Sequence, residues 1–192
     1  MRPLVLASAS AYRRELLTRL GVRFDVVAPA VSEEDLAGEV PAERAQRLAL
    51  AKARTVAQQY PEAIVVGSDQ VAAMGARVLH KSGHAAGARE QLMALSGKAA
   101  DFFTACAIIG ARAAVHEAHL DTTHVVFRAL SADEIARYIE HERPFDCAGS
   151  FKVETLGIAL LERIDMTDPT ALIGLPLIWV AQTLRRCGYP MP

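Results

Sequence analysis

A buried strand that ends in an acid is the first feature of this chain with chemistry in it. Ala63-Ile64-Val65-Val66 runs into Gly67-Ser68-Asp69-Gln70-Val71, so Asp69 is expected where the chain leaves an apolar layer. In open α/β sheets ligands collect at the carboxyl ends of strands, and a residue as small as Gly67 lets substrate or metal approach the backbone. The same fragment also reads as a turn aspartate, since Asp is common in turns for reasons unrelated to catalysis. A second group lies near the amino terminus, where Leu4-Val5-Leu6-Ala7 is followed by Ser8-Ala9-Ser10-Ala11-Tyr12-Arg13-Arg14. Ser10 is placed to cap a helix whose first-turn N–H groups are unpaired, and Arg13 and Arg14 add fixed positive charge beside them. A phosphate fits such a turn, and so does an ordinary capped helix with two solvated arginines.

The elements that position these residues alternate. Apolar periodicity predicts a strand over Leu4 to Ala7, a helix over Ala11 to Leu20 stopped by Gly21, and a strand around Phe24 to Val27. An acidic loop with Ser32, Glu33, Glu34 and Asp35 leads to a helix near Pro41 to Gln59, where Leu48 and Lys52 lie one turn apart on one face. Lys52 can reach a cleft from that anchored helix. A helix is expected from about Ala85 to Leu95, then two long strands, Phe102 to Ile109 and Val115 to Phe127, joined as a hairpin through Gly110-Ala111-Arg112-Ala113. Ser131-Ala132-Asp133-Glu134 is a capping-box signature for another helix. A Gly-containing turn at 147–154 precedes a strand near Ile158 to Leu161, and a last helix starts near Pro176. No repeat or long linker divides the chain, so the reading is α/β, one domain over residues 1–192 with two lobes sharing a core.

Composition removes several classes of function. At 192 residues and 52% apolar the chain can bury a substantial core. A formal charge of -1 gives no general attraction to nucleic acid or an anionic membrane, so phosphate binding has to come from a local basic cluster. The strongly apolar stretch from Ala171 to Ala181 is too short to span a bilayer and contains Gly174 and Pro176. Met1-Arg2-Pro3 moves straight into a strand without the apolar segment of a secretory signal, which predicts a cytoplasmic protein. Cys106, Cys147 and Cys187 are odd in number and widely spaced, the pattern of reduced thiols. His116 and His119 would point to opposite faces of a strand, and His80 and His84 flank a loop beside Lys81, so neither pair reads as a zinc site.

Taken together the motifs resemble the Maf family of nucleoside triphosphate pyrophosphatases over nearly the whole chain. The resemblance is carried by Leu6-Ala7-Ser8-Ala9-Ser10 with Arg13-Arg14-Glu15-Leu16-Leu17, by Glu33, by Leu48-Ala49-Leu50-Ala51-Lys52-Ala53, by Gly67-Ser68-Asp69-Gln70-Val71 and by Lys81. Further along it rests on Cys147-Ala148-Gly149-Ser150-Phe151-Lys152-Val153-Glu154 and Gly174-Leu175-Pro176-Leu177. Gln70 after the aspartate, and Glu154 in place of a glutamine, look like the branch that acts on N7-methyl-GTP. One departure is Lys81-Ser82, where the family usually has Lys-Pro. Without the proline the backbone at Lys81 is expected to be looser, its charge unchanged.

The resemblance implies a mixed twisted sheet flanked by helices, in an elongated two-lobed Maf/ITPase-like fold with a central cleft. It implies hydrolysis between the α- and β-phosphates of a modified nucleoside triphosphate, a house-cleaning activity. Arg13, Arg14, Lys52 and Lys81, with Ser8 and Ser10, would bind the phosphates, because phosphoryl transfer depends mainly on positioning and charge stabilisation. Asp69 would be the general base, and a divalent cation, Mg²⁺ or Mn²⁺, would be held by Glu33 with Asp69 able to share it. Tyr12, Gln70 and Glu154 would select the base: an electron-rich ring and a carboxylate suit the positive charge of N7-methylguanine. Taken singly, Tyr12 also reads as packing on its helix, Glu154 as a solvated strand charge and Gln70 as a turn residue. A homodimer is a family expectation. The alternatives are a dTTP/UTP pyrophosphatase with the same centre, and a non-catalytic nucleotide-binding regulator of septum formation.

Overall fold

The computed structural model describes residues 1–191. In chain order its elements are β1 (Leu4–Ala7), α1 (Ala11–Thr18), β2 (Asp25–Val27), α2 (Pro41–Gln59), β3 (Ile64–Met74), β4 (Arg77–Val78), α3 (Ala85–Leu95), β5 (Ala99–Gly110), β6 (Val115–Phe127), α4 (Ala132–Glu142), β7 (Leu161–Asp165) and α5 (Leu177–Arg186). The seven strands form one mixed sheet in the order β2-β1-β3-β5-β6-β7, with β4 paired to β3. β1 lies parallel to both β2 and β3, whereas β3 with β4 and β6 with β7 are antiparallel.

The chain divides into two compact units, the first comprising residues 1–70, 104–121 and 168–192, the second 71–103 and 122–167. In the first, β1 is buried along its whole length, as its run of four apolar residues requires of a strand covered on both faces. Alternate residues serve different helices. Leu4, Leu6, Ile64 and Val66 pack with Leu16 and Leu17 of α1 and with Val180 and Leu184 of α5. Val5, Ala7 and Val65 pack with Ala53, Val56 and Ala57 of α2. This second layer is rich in alanine, so α2 rides close to the strands. In the second unit the rings of Phe102 and Phe127 meet Phe151 at centroid distances of 6.0 and 5.5 Å. There the capping box forms as its sequence implies: Ser131 accepts from the Glu134 N–H and Glu134 accepts from the Ser131 N–H. Those Ser131 bonds, helped by Arg128, pull the Glu134 carboxyl down to about 2.

Two expectations need correcting. Residues 156–160 form a 3-10 turn and the strand begins only at Leu161. Gly157 sits directly against the Lys152 carbonyl and the Phe151 ring, with no room for a Cβ, and this approach coils a segment whose apolar run reads equally as a strand. β3, for its part, does not stop before Asp69 but continues to Met74, so Asp69 and Gln70 are strand residues and the turn reading of both is excluded. Asp69 still lies beyond the parallel layer, because the register pairs Ala7, the last residue of β1, with Gly67.

The last helix has no side-chain cap at Pro176, the residue before it. Its first turn is instead served by the buried Asp168, which accepts from the Ile178 N–H at 2.7 Å and from the Thr170 hydroxyl at 2.6 Å. Asp121 is also buried, and its Oδ1 has no hydrogen-bond partner among the described residues. Burial first and Asp168 second push the Asp121 carboxyl up, with His119 and the Asp168 backbone acting the other way. An acid raised in the folded state holds its proton while the unfolded chain loses it, so stability falls as pH rises from the unfolded value, about 3.9, through the folded one. Asp121→Asn is therefore expected to stabilise the protein at pH 7, because it removes a carboxylate charge that burial and Asp168 disfavour. The gain should fade below about pH 3, where both states of the wild type are protonated. Thermal melts of both proteins at the two pH values check this, and an unchanged melting temperature at pH 7 refutes it.

Candidate active site

The centre of the site is an ammonium between two carboxylates. Lys52 Nζ lies 2.6 Å from Asp69 Oδ1 and 2.6 Å from Glu33 Oε1. Lys52 and Asp69 are each only 7% exposed, so this pair is held inside the protein. The Glu33 side chain is 58% exposed, which leaves its carboxylate within reach of solvent and solutes.

Each partner arrives for a local reason. Asp69 is delivered by β3, two residues beyond Gly67 and so on the same face. A Cβ at Gly67 would stand 2.6 Å from the Ala49 carbonyl oxygen and 2.6 Å from the Ala53 nitrogen. The neighbour admitted by this glycine is thus the α2 backbone, not substrate or metal as the sequence suggests. Lys52 lies between Ala49 and Ala53, so the close approach seats it over the strand. Glu33 belongs to a loop tied down by α2: Arg44 donates to the Glu33 carbonyl at 2.8 Å, and Arg47 donates to the Glu34 carbonyl at 3.1 Å. Arg44 also pairs with Asp35, and Arg47 grips Glu39 through two bonds, 2.5 and 2.7 Å. That grip holds the Glu39 carboxyl below its ordinary range. Sequence reasoning missed both arginines; lying eight and five residues before Lys52, they look the same as charges on a solvated helix face.

The serine turn follows directly from β1. Ser8 is buried and its Oγ accepts from the Ser10 N–H at 3.1 Å. Ser10 caps α1, its Oγ accepting from the Arg13 N–H at 3.4 Å. Both hydroxyls act here as acceptors, which leaves their O–H hydrogens able to donate to an anion. Arg13 is half-buried and gives its Nε–H to the Gly174 carbonyl at 3.0 Å. Burial pulls its pKa below the ordinary arginine value, while Asp69, Cys106 and Glu33 push it back up, so its charge is felt among the site acids. Tyr12 is half-buried in the first turn of α1 and Arg14 is exposed. Gln70 donates its amide to Thr104 Oγ1 at 2.9 Å and to the Ala171 and Leu172 carbonyls at 3.1 and 2.9 Å. Three acceptors around one NH₂ fix the flip of that amide, so Oε1 is the end able to meet a ligand.

The second unit carries the other two candidates. Lys81 is exposed, and its backbone bridges to Ala148 in the glycine-containing segment that ends with Glu154. The looser backbone expected from Ser82 is offset: Gly83 N–H donates to the Phe145 carbonyl at 3.0 Å and Gln91 donates to the His80 carbonyl at 2.7 Å. His84 is exposed at the surface and caps α3 by accepting from the Gly87 N–H at 3.1 Å. Glu154 is exposed on a turn, not on a strand. His119 stacks on Trp179 with ring centroids 5.3 Å apart. All three cysteines are free thiols, and burial pushes Cys106 far up from its usual value.

No group of three or more His, Cys, Asp or Glu able to cage a metal occurs among the described residues. Mg²⁺ is commonly held through one or two carboxylates, with waters and substrate phosphates completing its octahedron. The position between Glu33 and Asp69 is taken by the Lys52 ammonium, so a metal held by these two acids would use their other carboxylate oxygens. A separate cavity of about 510 Å³, lined by Arg2, Arg23, Phe24 and Tyr189 among others, opens at the amino end of β1, and none of the site residues lines it. No helix among the described residues is long and apolar enough to cross a membrane.

A mixed α/β sheet here presents a strand acid, a buried lysine and a capped serine turn at the carboxyl end of its parallel strands, the place where ligands collect in open α/β sheets. The chain matches the Maf-like protein family over residues 3–187, and it belongs to that family. It is 50% identical over 192 residues, all of both chains, to a protein of Xanthomonas oryzae pv. oryzae named 7-methyl-GTP pyrophosphatase. Proteins with the same name from Aromatoleum aromaticum and Albidiferax ferrireducens are each 49% identical, over 98% and 97% of this chain and 97% and 94% of their own.

Proposed function

We propose that this chain is an enzyme that hydrolyses N7-methyl-GTP to N7-methyl-GMP and diphosphate. The observation that carries the reading is the lysine held 2.6 Å from both Asp69 and Glu33, in a chain about 50% identical over its whole length to proteins named for that reaction. Asp69 is the general base: with Oδ1 on Lys52, the other carboxylate oxygen takes the proton of the attacking water as the bond between the α- and β-phosphates breaks. Lys52 orients that carboxylate. Arg13, with the Ser8 and Ser10 hydroxyls and the first N–H groups of α1, holds the triphosphate, and Arg14 and Lys81 add positive charge. Glu33 and Asp69 would hold the Mg²⁺ or Mn²⁺. When bound, that ion neutralises charge on the phosphate oxygens.

The base is selected by chemistry suited to a cationic purine. Tyr12 offers a π face, worth about 0.5 to 2 kcal/mol to a cation depending on desolvation. Gln70 Oε1, and in the second unit the exposed Glu154 carboxylate, are acceptors whose chemistry suits the guanine N–H groups. Glu154→Gln is expected to lower kcat/KM for N7-methyl-GTP about tenfold relative to GTP, or 1.4 kcal/mol. Equal losses for both nucleotides would remove Glu154 from the pocket.

Pyrophosphate release from N7-methyl-GTP, GTP, dTTP and UTP, with Mg²⁺ or Mn²⁺, tests the whole reading. Preference for N7-methyl-GTP supports it. Preference for dTTP or UTP keeps the mechanism and overturns the base pocket, and binding without release would make the chain a nucleotide-binding regulator.

A further inference from the structure

We propose that the turn from Asp168 to Gly174 positions Arg13, and that the Gly174 carbonyl is the atom through which it does so. The proposal rests on the reading of Arg13 as a phosphate ligand. The Gly174 oxygen accepts Arg13 Nε–H at 3.0 Å and lies 2.9 Å from Ser68 Oγ. One carbonyl therefore touches both the arginine and the residue next to Asp69. A guanidinium bound at Nε is fixed in plane and direction while its terminal NH₂ groups stay available, the fork that recognises phosphate. A charge left to swing on its side chain has to be ordered when substrate binds, which weakens binding.

The turn is built to keep that oxygen still. Thr104 Oγ1 donates to the Ala171 carbonyl at 2.9 Å, and the Gln70 amide donates to the Ala171 and Leu172 carbonyls. On the other side, Asp168 accepts from the Thr170 N–H at 2.8 Å, and Thr170 Oγ1 lies 2.9 Å from the Leu175 carbonyl and accepts the Leu177 N–H at 2.9 Å. Gly174 itself has φ +128, a conformation open to glycine and strained for any L side chain. A Cβ there would meet Arg13 Nε and Cγ at 3.5 and 3.6 Å, ordinary contact distances. The glycine is therefore needed for the direction of its carbonyl and not for space. Gln70 emerges with a second role: its donors hold the turn that holds Arg13, so it is a positioning residue as well as a neighbour of the base.

A double-mutant cycle separates this from a merely structural role. Gly174→Ala is expected to raise KM for N7-methyl-GTP about tenfold with kcat changed less than threefold, and to raise the Kd of inorganic pyrophosphate by calorimetry in parallel. In an Arg13→Ala background the same substitution should change either constant less than twofold, because the group it acts through is gone. Additive effects in the two backgrounds would overturn the proposal. Should Gly174→Ala fail to fold, Thr104→Val, nearly isosteric and without strain at 174, loosens the same turn and enters the same cycle with the same criterion. Coupling seen in pyrophosphate binding while N7-methyl-GTP is not turned over would support the positioning role and overturn the proposed reaction alone.

Discussion

Asp69→Asn is expected to lower pyrophosphate release by about 10² to 10⁴, the usual contribution of a general base, while nucleotide still binds. Asparagine keeps the shape of the side chain and an oxygen for Lys52, which sits 2.6 Å from Asp69 Oδ1, and Glu33 continues to pair the ammonium. What is lost is the basic carboxylate. This is why asparagine, and not alanine, is the informative substitution: removing one partner of a buried pair outright costs about 3 to 5 kcal/mol, and a fall in activity could then be a fall in folded protein. Single-turnover release, measured beside a melting curve, checks the expectation. A variant that keeps more than a tenth of the wild-type rate with an unchanged melting temperature removes Asp69 from the role of base.

Much of this arrangement is legible in the residues before any coordinates. β1 and α2 begin and end where apolar runs, Pro41 and the polar flanks place them, and the Ser131 capping box needs only four residues to be recognised. These are local signals, and local signals survive reading one dimension at a time. The departures are all tertiary. β3 runs past Asp69 because it finds further strand neighbours there, which no turn propensity reveals. Gly67 was legible as a place of close approach, but its neighbour belongs to a helix some 15 residues earlier in the chain. Asp168 caps a helix that starts nine residues later, outside the window in which a cap is normally sought. Within the site, Asp69, Lys52 and Glu33 carry charge in a pattern that can be noticed, and their contact can be drawn only from the fold. Arg44 and Arg47 act through backbone carbonyls of Glu33 and Glu34, acceptors that every residue possesses and no sequence advertises.

Gly67→Ala is expected to damage stability and catalysis together, from a single methyl group. The added Cβ would lie 2.6 Å from the Ala49 oxygen, 2.6 Å from the Ala53 nitrogen and 2.8 Å from the Ala53 Cβ. Two of these three are backbone atoms in the middle of a 19-residue helix, and they cannot turn aside as a side chain can. α2 therefore has to move off β3 by a good fraction of an ångström. Overpacking a tight core typically costs about 1 to 3 kcal/mol, and with backbone on both sides of the methyl the cost should sit near the upper figure. In a domain of this size that is a fall in melting temperature of roughly 6 to 12 °C. The displaced segment is the one that carries Lys52, so its ammonium leaves the position between Asp69 and Glu33, and misplacement on the scale of 1 Å can cost about 10²-fold in rate. Ala53→Gly in the same chain removes only the Cβ contact and leaves both backbone contacts, so it should restore little of either loss. A Gly67→Ala protein that melts within 2 °C of wild type, a shift worth about 1 kcal/mol or less, would mean that β3 and α2 can separate freely, and the account of how Lys52 reaches Asp69 would have to be abandoned.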